Sequence, residues 1–171
     1  MASTERRIEV RKDIRDVWSH VRDMGNWSVQ IPGYVAHREA GPDDSVWTLK
    51  VSIGPVERTV DVAVHVLRWD EPDEVAFTLK GLTESFSGGG LYRAEARGGS
   101  TAIALSFEAT PEGPMATMIN ALAAPILEQV ADAFSENLRR SIEGEEGRVE
   151  ATLRISPWRR LIEMVRTWFR R

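Results

Sequence analysis

The sequence predicts an α+β fold in which an antiparallel sheet is covered by a long C-terminal helix, with a shorter amphipathic helix appended at the end. Three observations predict it. Segments between residues 44 and 107 alternate apolar and polar side chains at period two, so each strand has one buried and one wet face, the cadence of antiparallel strands. From Met115 to Ile142 the apolar residues recur instead at threes and fours, the period of a helix. A chain of 171 residues, 42% hydrophobic and 28% charged, suits one globular domain with a short appendage and excludes disorder throughout. The division that follows is a domain over 1–143, a linker over 144–155 and a tail over 156–171.

Taken in order, Arg7 to Val10 alternate as a short first strand, and Asp13 stands as an N-cap before Ile14, Val17, Trp18 and Val21, which share one helical face. This helix is expected to end near Gly25, and a loop runs from Asn26 to Gly33. Beyond it, Trp47, Leu49, Val51 and Ile53 oppose Thr48, Lys50 and Ser52. Val60, Val62, Val64 and Val66 oppose Asp61, Ala63 and His65; Val75, Phe77 and Leu79 continue the pattern, and Ile103, Leu105 and Phe107 close it. Turns fall at Gly41-Pro42-Asp43-Asp44, Gly54-Pro55, Glu71-Pro72-Asp73 and Gly98-Gly99. In the long helix Ile119, Leu122, Ile126, Val130, Phe134 and Leu138 form the apolar stripe. Pro125 removes one backbone donor, so a kink or break is expected near Ala121 to Pro125.

Composition excludes several kinds of chemistry. With no cysteine there is no disulfide scaffold, thiol catalysis or thiolate metal site. His20, His37 and His65 form no metal-binding pattern and read as surface residues, His65 on the wet face of its strand. No GxSxG elbow occurs, and no Ser-His-Asp grouping is visible by motif. Gly88-Gly89-Gly90 is followed by the strand-like Leu91-Tyr92-Arg93 and not by a helix N-terminus, so it reads as a bulge or bend and not as a phosphate loop. The start MASTERRIEV lacks the apolar core of a signal peptide, and no run of about 20 apolar residues follows, which predicts a cytoplasmic location.

Charge is unevenly placed. Six arginines against Glu163 give residues 154–171 a net charge of +5, leaving −9 on the preceding residues of a chain whose total is −4. An acidic body does not suit nucleic acid. In the tail, Ser156 and Pro157 suit an N-cap and first turn, and Trp158, Leu161, Ile162, Val165, Trp168 and Phe169 lie at helical spacing. Arg159, Arg160, Arg166, Arg170 and Arg171 take the opposite side and the flanks. Tryptophans beside an arginine-rich face suit the surface of an anionic membrane, so these eleven residues are expected to hold the protein to the inner face of the cell membrane.

The order strand, helix, loop, antiparallel run and long C-terminal helix resembles the helix-grip fold of the START and polyketide-cyclase (SRPBCC) superfamily. Within it the chain resembles the carbon monoxide dehydrogenase G-subunit family, through Ile8 to Val10 leading to Val17-Trp18, Ile31-Pro32-Gly33, Leu49 to Val56 (LKVSIGPV), Gly88-Gly89-Gly90 and Ala131 to Leu138 (ADAFSENL). The resemblance covers about residues 6 to 140. It implies a curved sheet wrapped around the long helix over a deep apolar cavity of the kind that binds lipids, quinones, sterols or polyketides. It also implies a link to the maturation, membrane recruitment and electron transfer of a molybdenum-containing carbon monoxide dehydrogenase.

By themselves the aligned apolar faces could be a filled core; the resemblance favours a cavity. Its expected lining is Trp27, Ile31, Trp47 and Leu49, then Val62, Val64, Phe77 and Phe86, then Tyr92, Met118, Leu122 and Ile126, with the small residues Ala116, Ala121, Ala123 and Ala124 on the helix leaving room. The expected function is a non-enzymatic carrier or adaptor with an isoprenoid quinone or other lipid as ligand and no covalent cofactor. The alternatives are a cyclase or hydrolase acting on an apolar substrate, with Glu84, Tyr92 or Arg93 as its polar group, and an adaptor with a filled core.

Overall fold

The computed structural model describes residues 1–53, 56–114, 116–145 and 154–155. Strand β1 (Ala2–Val10) leads into helices α1 (Ile14–Val21) and α2 (Met24–Ser28), followed by β2 (Tyr34–Glu39), β3 (Asp44–Ile53), β4 (Val56–Asp70), β5 (Glu74–Gly81), β6 (Phe86–Arg97) and β7 (Ser100–Pro111). Helix α3 (Ala116–Glu143) and a two-residue strand β8 (Arg154–Ile155) complete the described chain. The sheet order is β1-β7-β6-β5-β4-β3-β2, each neighbour antiparallel, while β8 pairs parallel to β3 at Ser52 and Ile53. This is the helix-grip fold.

Local chemistry sets the element boundaries. The Asp13 carboxylate accepts from the Arg15 amide at 2.9 Å and starts α1, whose Val17, Trp18 and Val21 turn into the core. The spacing predicts one helix to Gly25, but the chain breaks and restarts: Asp23 accepts from the Gly25 amide at 2.8 Å and caps α2 separately. Gly33 has φ +81°, and a Cβ there would strike the Lys50 carbonyl, so the turn into β2 needs glycine. Strand β1 begins at Ala2, five residues before the alternation is evident, because two of its inward positions, Thr4 and Arg6, are polar and hide the pattern.

Two expectations are corrected. Pairing runs in register through Gly88, Gly89 and Gly90 on both sides, so the run is not a bulge; a Cβ at each would meet the backbone of β5 or β7, and glycine lets the neighbouring strands close in. The bulges fall instead between Tyr34 and Ala36 and between Val66 and Arg68. Helix α3 also continues through Pro125, so of the kink or break expected there the break does not occur; the cost of the missing donor, about 3 kcal/mol, is borne by a 28-residue helix tied along its length to β1. The Met1 ammonium donates to Asn120 Oδ1 at 3.2 Å; Arg6 bridges Asp132 Oδ1 at 2.6 Å and Glu128 Oε2 at 2.5 Å; the Arg11 amide donates to Glu143 Oε1 at 2.8 Å. Strand β1 and α3 therefore run side by side in the same direction.

Candidate functional site: the open end of the helix grip

Helix α3 is unevenly covered. From 131 to 142, Ala131, Ala133, Phe134, Ser135, Asn137, Leu138 and Ile142 are buried. From 116 to 130, every described side chain is half-buried or exposed. The inner face of the sheet changes in step. Trp47, Val62, Val64, Val66, Val75, Phe77, Tyr92 and Leu105 are buried, whereas Leu49, Val51, Val60, Leu79 and Phe86, toward the other end of their strands, are half-buried. The ties from Met1 to Asn120 and from Ala2 to Ala109 place the first turns of α3 beside the start of β1 and the end of β7, which pairs with the Phe86–Gly88 end of β6.

The filled end is built around Trp27. Helix α2 inserts this indole between sheet and helix, where its ring centre lies 5.6 Å from Phe77, 5.7 Å from Tyr92 and 5.9 Å from Phe134. The Trp27 Nε1 donates to the Val21 carbonyl at 2.6 Å, and Phe107 stacks edge-on against Phe134 at 5.6 Å. Behind them, Asn137 Nδ2 donates to the Gln30 carbonyl at 3.1 Å and fixes the loop that leaves α2.

The structure thus divides the expected ligand-binding residues. Trp27, Trp47, Val62, Val64, Phe77 and Tyr92 belong to the filled end. Ile31, Leu49 and Phe86 are half-buried and pack on the edge of that core together with Leu79 and Leu127, which are absent from the lining expected from sequence; Ile126 is half-buried too. The side chains of Met118 and Leu122 lie outside the described residues, as do Trp158, Leu161 and the other tail residues assigned to membrane binding. Of the four alanines, Ala121 and Ala124 face outward, while Ala116 and Ala123 are half-buried, Ala123 four residues before Leu127 on the covered stripe. That spacing is readable in the sequence, but composition alone does not say which alanines face inward.

Polar groups are few on the inner face. Glu84 pairs with Arg58 at 2.7 Å, and Arg93 is exposed and pairs with Glu74 at 3.0 Å on the outer side. Tyr92 is wholly buried and its hydroxyl has no hydrogen-bond partner. Burial pushes its phenol well above the usual range, so it stays protonated and able to donate. His37 bonds the Tyr34 hydroxyl at 2.8 Å and His65 bonds Asp44 at 2.8 Å, both exposed; His20 is half-buried, its Nε2 3.0 Å from Ser141 Oγ. Among the described residues no group of three His, Asp or Glu side chains could hold a metal ion.

Two surface concavities lie elsewhere. One of about 370 Å³ sits between α1–α2 and the β2–β3 turn, lined by Asp23, Glu39, Asp43 and Asp44 among others; one of about 620 Å³ crosses the outer face of the sheet over Gly89. Neither is bounded by α3, and the first is too acidic for an apolar molecule.

Comparison with known proteins agrees with this geometry. The family model described as "Polyketide cyclase / dehydrase and lipid transport" matches residues 1–143. The chain belongs to that family. Similar solved structures include a START superfamily protein from Mycobacterium smegmatis (14% identity, 84% of this chain and 99% of that one, TM-score 0.66). A conserved protein from Geobacillus kaustophilus is similar at 18% identity, over 83% of this chain and 95% of that one, with a TM-score of 0.65. The Zhui aromatase/cyclase from Streptomyces sp. R1128 is similar at 16% identity, over 83% and 91%, with a TM-score of 0.53. At these identities the likeness concerns the fold. A search of the curated proteins finds no significant match. The family thus spans lipid transport and cyclase chemistry, and no helix among the described residues is long and apolar enough to cross a membrane.

Proposed function

We propose that this member of the family is a carrier that holds an apolar molecule, an isoprenoid quinone or another lipid, beneath the first half of α3. The observation that carries this reading is the change of burial along the helix and the sheet together: the second half of α3 closes on a filled aromatic core, whereas the described side chains of its first half, and Leu49, Val60, Leu79 and Phe86 on the inner face of the sheet, remain half-buried or exposed. Covering what remains of each such side chain contributes on the order of 1 kcal/mol, so several together would retain an apolar ligand. The tail, residues 156–171, would bring the domain to the inner face of the cell membrane, where such a ligand resides. Strand β8 supports the link between tail and pocket, because its pairing with Ser52 and Ile53 leads the chain toward the β3–β4 end of the grip just before the tail begins. The resemblance to the G-subunit family of carbon monoxide dehydrogenase supports a finer reading. In it, the protein recruits a molybdenum-containing dehydrogenase or passes its electrons to the carried quinone.

Organic extraction of the purified full-length protein, followed by mass spectrometry, tests the carrier reading. A co-purifying quinone or lipid is expected. Extracts free of apolar molecules, together with no uptake of decylubiquinone, would overturn it. A second reading, a cyclase or hydrolase in the same place, rests on the buried protonated phenol of Tyr92 and on the cyclases among the structural neighbours. Turnover of an apolar ketone that disappears in Tyr92→Phe would favour that reading.

A further inference from the structure

The inner face of β6 reads Phe86, Gly88, Gly90, Tyr92 from the half-buried rim toward the filled core. Two of its four positions carry no side chain, and about 13 Å of strand separates Gly88 from Tyr92. The ring of Phe77 lies against Gly90, where a Cβ would touch its Cζ and Cε1, and so covers the way from the rim to Tyr92. At the end of that way the Tyr92 hydroxyl is wholly buried and unpartnered, flanked across the ladder by Val75 and Leu105 and beside Trp27. A hydroxyl left without a partner in apolar surroundings is a standing cost that a phenylalanine would avoid. Trp18 Nε1, on α1, is buried without a hydrogen-bond partner too; the residues of polar type that are buried among the described ones are Ser28, Gln30, Ser45, Thr101, Ser135 and Asn137, none of them charged.

We infer that Tyr92 anchors the ligand: an apolar molecule enters along Gly88 and Gly90, turns Phe77 aside, and places one uncharged hydrogen-bond acceptor, a carbonyl oxygen, on the Tyr92 hydroxyl. The inference rests on the carrier reading and narrows it to a class, long apolar molecules whose leading end is a ketone or quinone. A carboxylate is disfavoured because no buried cation accompanies the phenol. A ligand led by an ammonium is disfavoured because no buried anion accompanies the phenol to offset its desolvation.

The test compares the full-length protein with Tyr92→Phe, using decylubiquinone and the oxygen-free dodecylbenzene as probes. Tyr92→Phe is expected to unfold at a higher temperature, to bind decylubiquinone about tenfold more weakly, and to bind dodecylbenzene unchanged. The carbonyl stretch of bound decylubiquinone should lie lower in the unsubstituted protein than in a hydrocarbon solvent, a readout that does not depend on the variant folding. Unchanged quinone affinity, an equal loss for both probes, or an unshifted carbonyl stretch would overturn the anchor while leaving a carrier. If the unsubstituted protein takes up neither probe, the carrier reading fails and the anchor fails with it.

Discussion

Asn137, in the last third of α3, donates through Nδ2 to the backbone carbonyl of Gln30 at 3.1 Å, across 107 residues of sequence. Both residues are buried, so the bond is shielded from water and fixes the loop after α2 against the helix. Since α2 carries Trp27, the bond also holds the indole between sheet and helix. Replacing Asn137 by the similarly shaped leucine leaves the Gln30 carbonyl without this donor. The expected loss is about 1–3 kcal/mol, measured by denaturant unfolding, with faster amide exchange around residues 27–31. Unchanged exchange there would mean that the bond does not hold the loop.

The direction in which α3 presents its alanines gives a second prediction. Ala123 shares the covered stripe with Leu127 and Ala131, whereas Ala121 is exposed. Ala123→Trp should fill space over the rim and reduce uptake of decylubiquinone severalfold with little change in unfolding temperature. Ala121→Trp should leave uptake as it was. Equal effects from the two would place the ligand away from this helix.

These alanines also mark how far the sequence can be read. Period-two alternation in Val60 to Val66 and the threes and fours of α3 reveal the buried face of each element, because a strand or helix exposes its own pattern locally. What decides whether a buried-side residue meets a partner is the distance between elements, and that depends on pairings far apart in sequence. The filling of one end by Trp27 depends on α2 restarting at the Asp23 cap, where the sequence pattern suggests only the end of α1. The register through Gly88 to Gly90 depends on both neighbouring strands, so a glycine run that reads locally as a bulge proves to be a close approach. Tyr92 is legible as an inner-face residue; its unpartnered hydroxyl is not, because hydrogen-bond satisfaction is a property of surroundings drawn from several elements.

His20 provides a pH dependence. Burial is the main cause that holds its pKa below the ordinary value of 6.5, against a smaller opposite effect of Asp23, so the folded protein favours the neutral ring that meets Ser141. On acidification the unfolded chain takes up this proton first. The stabilisation is therefore complete above about pH 6.5 and is lost as the pH falls through the lower folded-state value. His20→Gln should flatten the stability curve in that window, as measured by urea unfolding at several pH values. An unchanged slope would assign the acid sensitivity to other groups.

The tail gives the last prediction, and it turns on separating charge from apolar contact. Each arginine near an anionic surface contributes on the order of 1 kcal/mol, an attraction that salt screens, whereas burial of Trp158, Leu161, Ile162, Val165, Trp168 and Phe169 is little affected by salt. Sedimentation of the full-length protein with phosphatidylglycerol-containing vesicles should therefore fall as salt rises. It should fall further in Trp168→Ala with Phe169→Ala at constant salt. Arg170→Glu with Arg171→Glu should weaken binding chiefly at low salt, where screening is least. The acidic chain before residue 154 opposes this basic end, carrying −9 against the +5 of residues 154–171, so attraction requires the arginines to approach the surface ahead of the domain. Binding to neutral phosphatidylcholine vesicles as strong as to anionic ones would remove the electrostatic half of this account. Binding that survives loss of both aromatic residues would remove the apolar half.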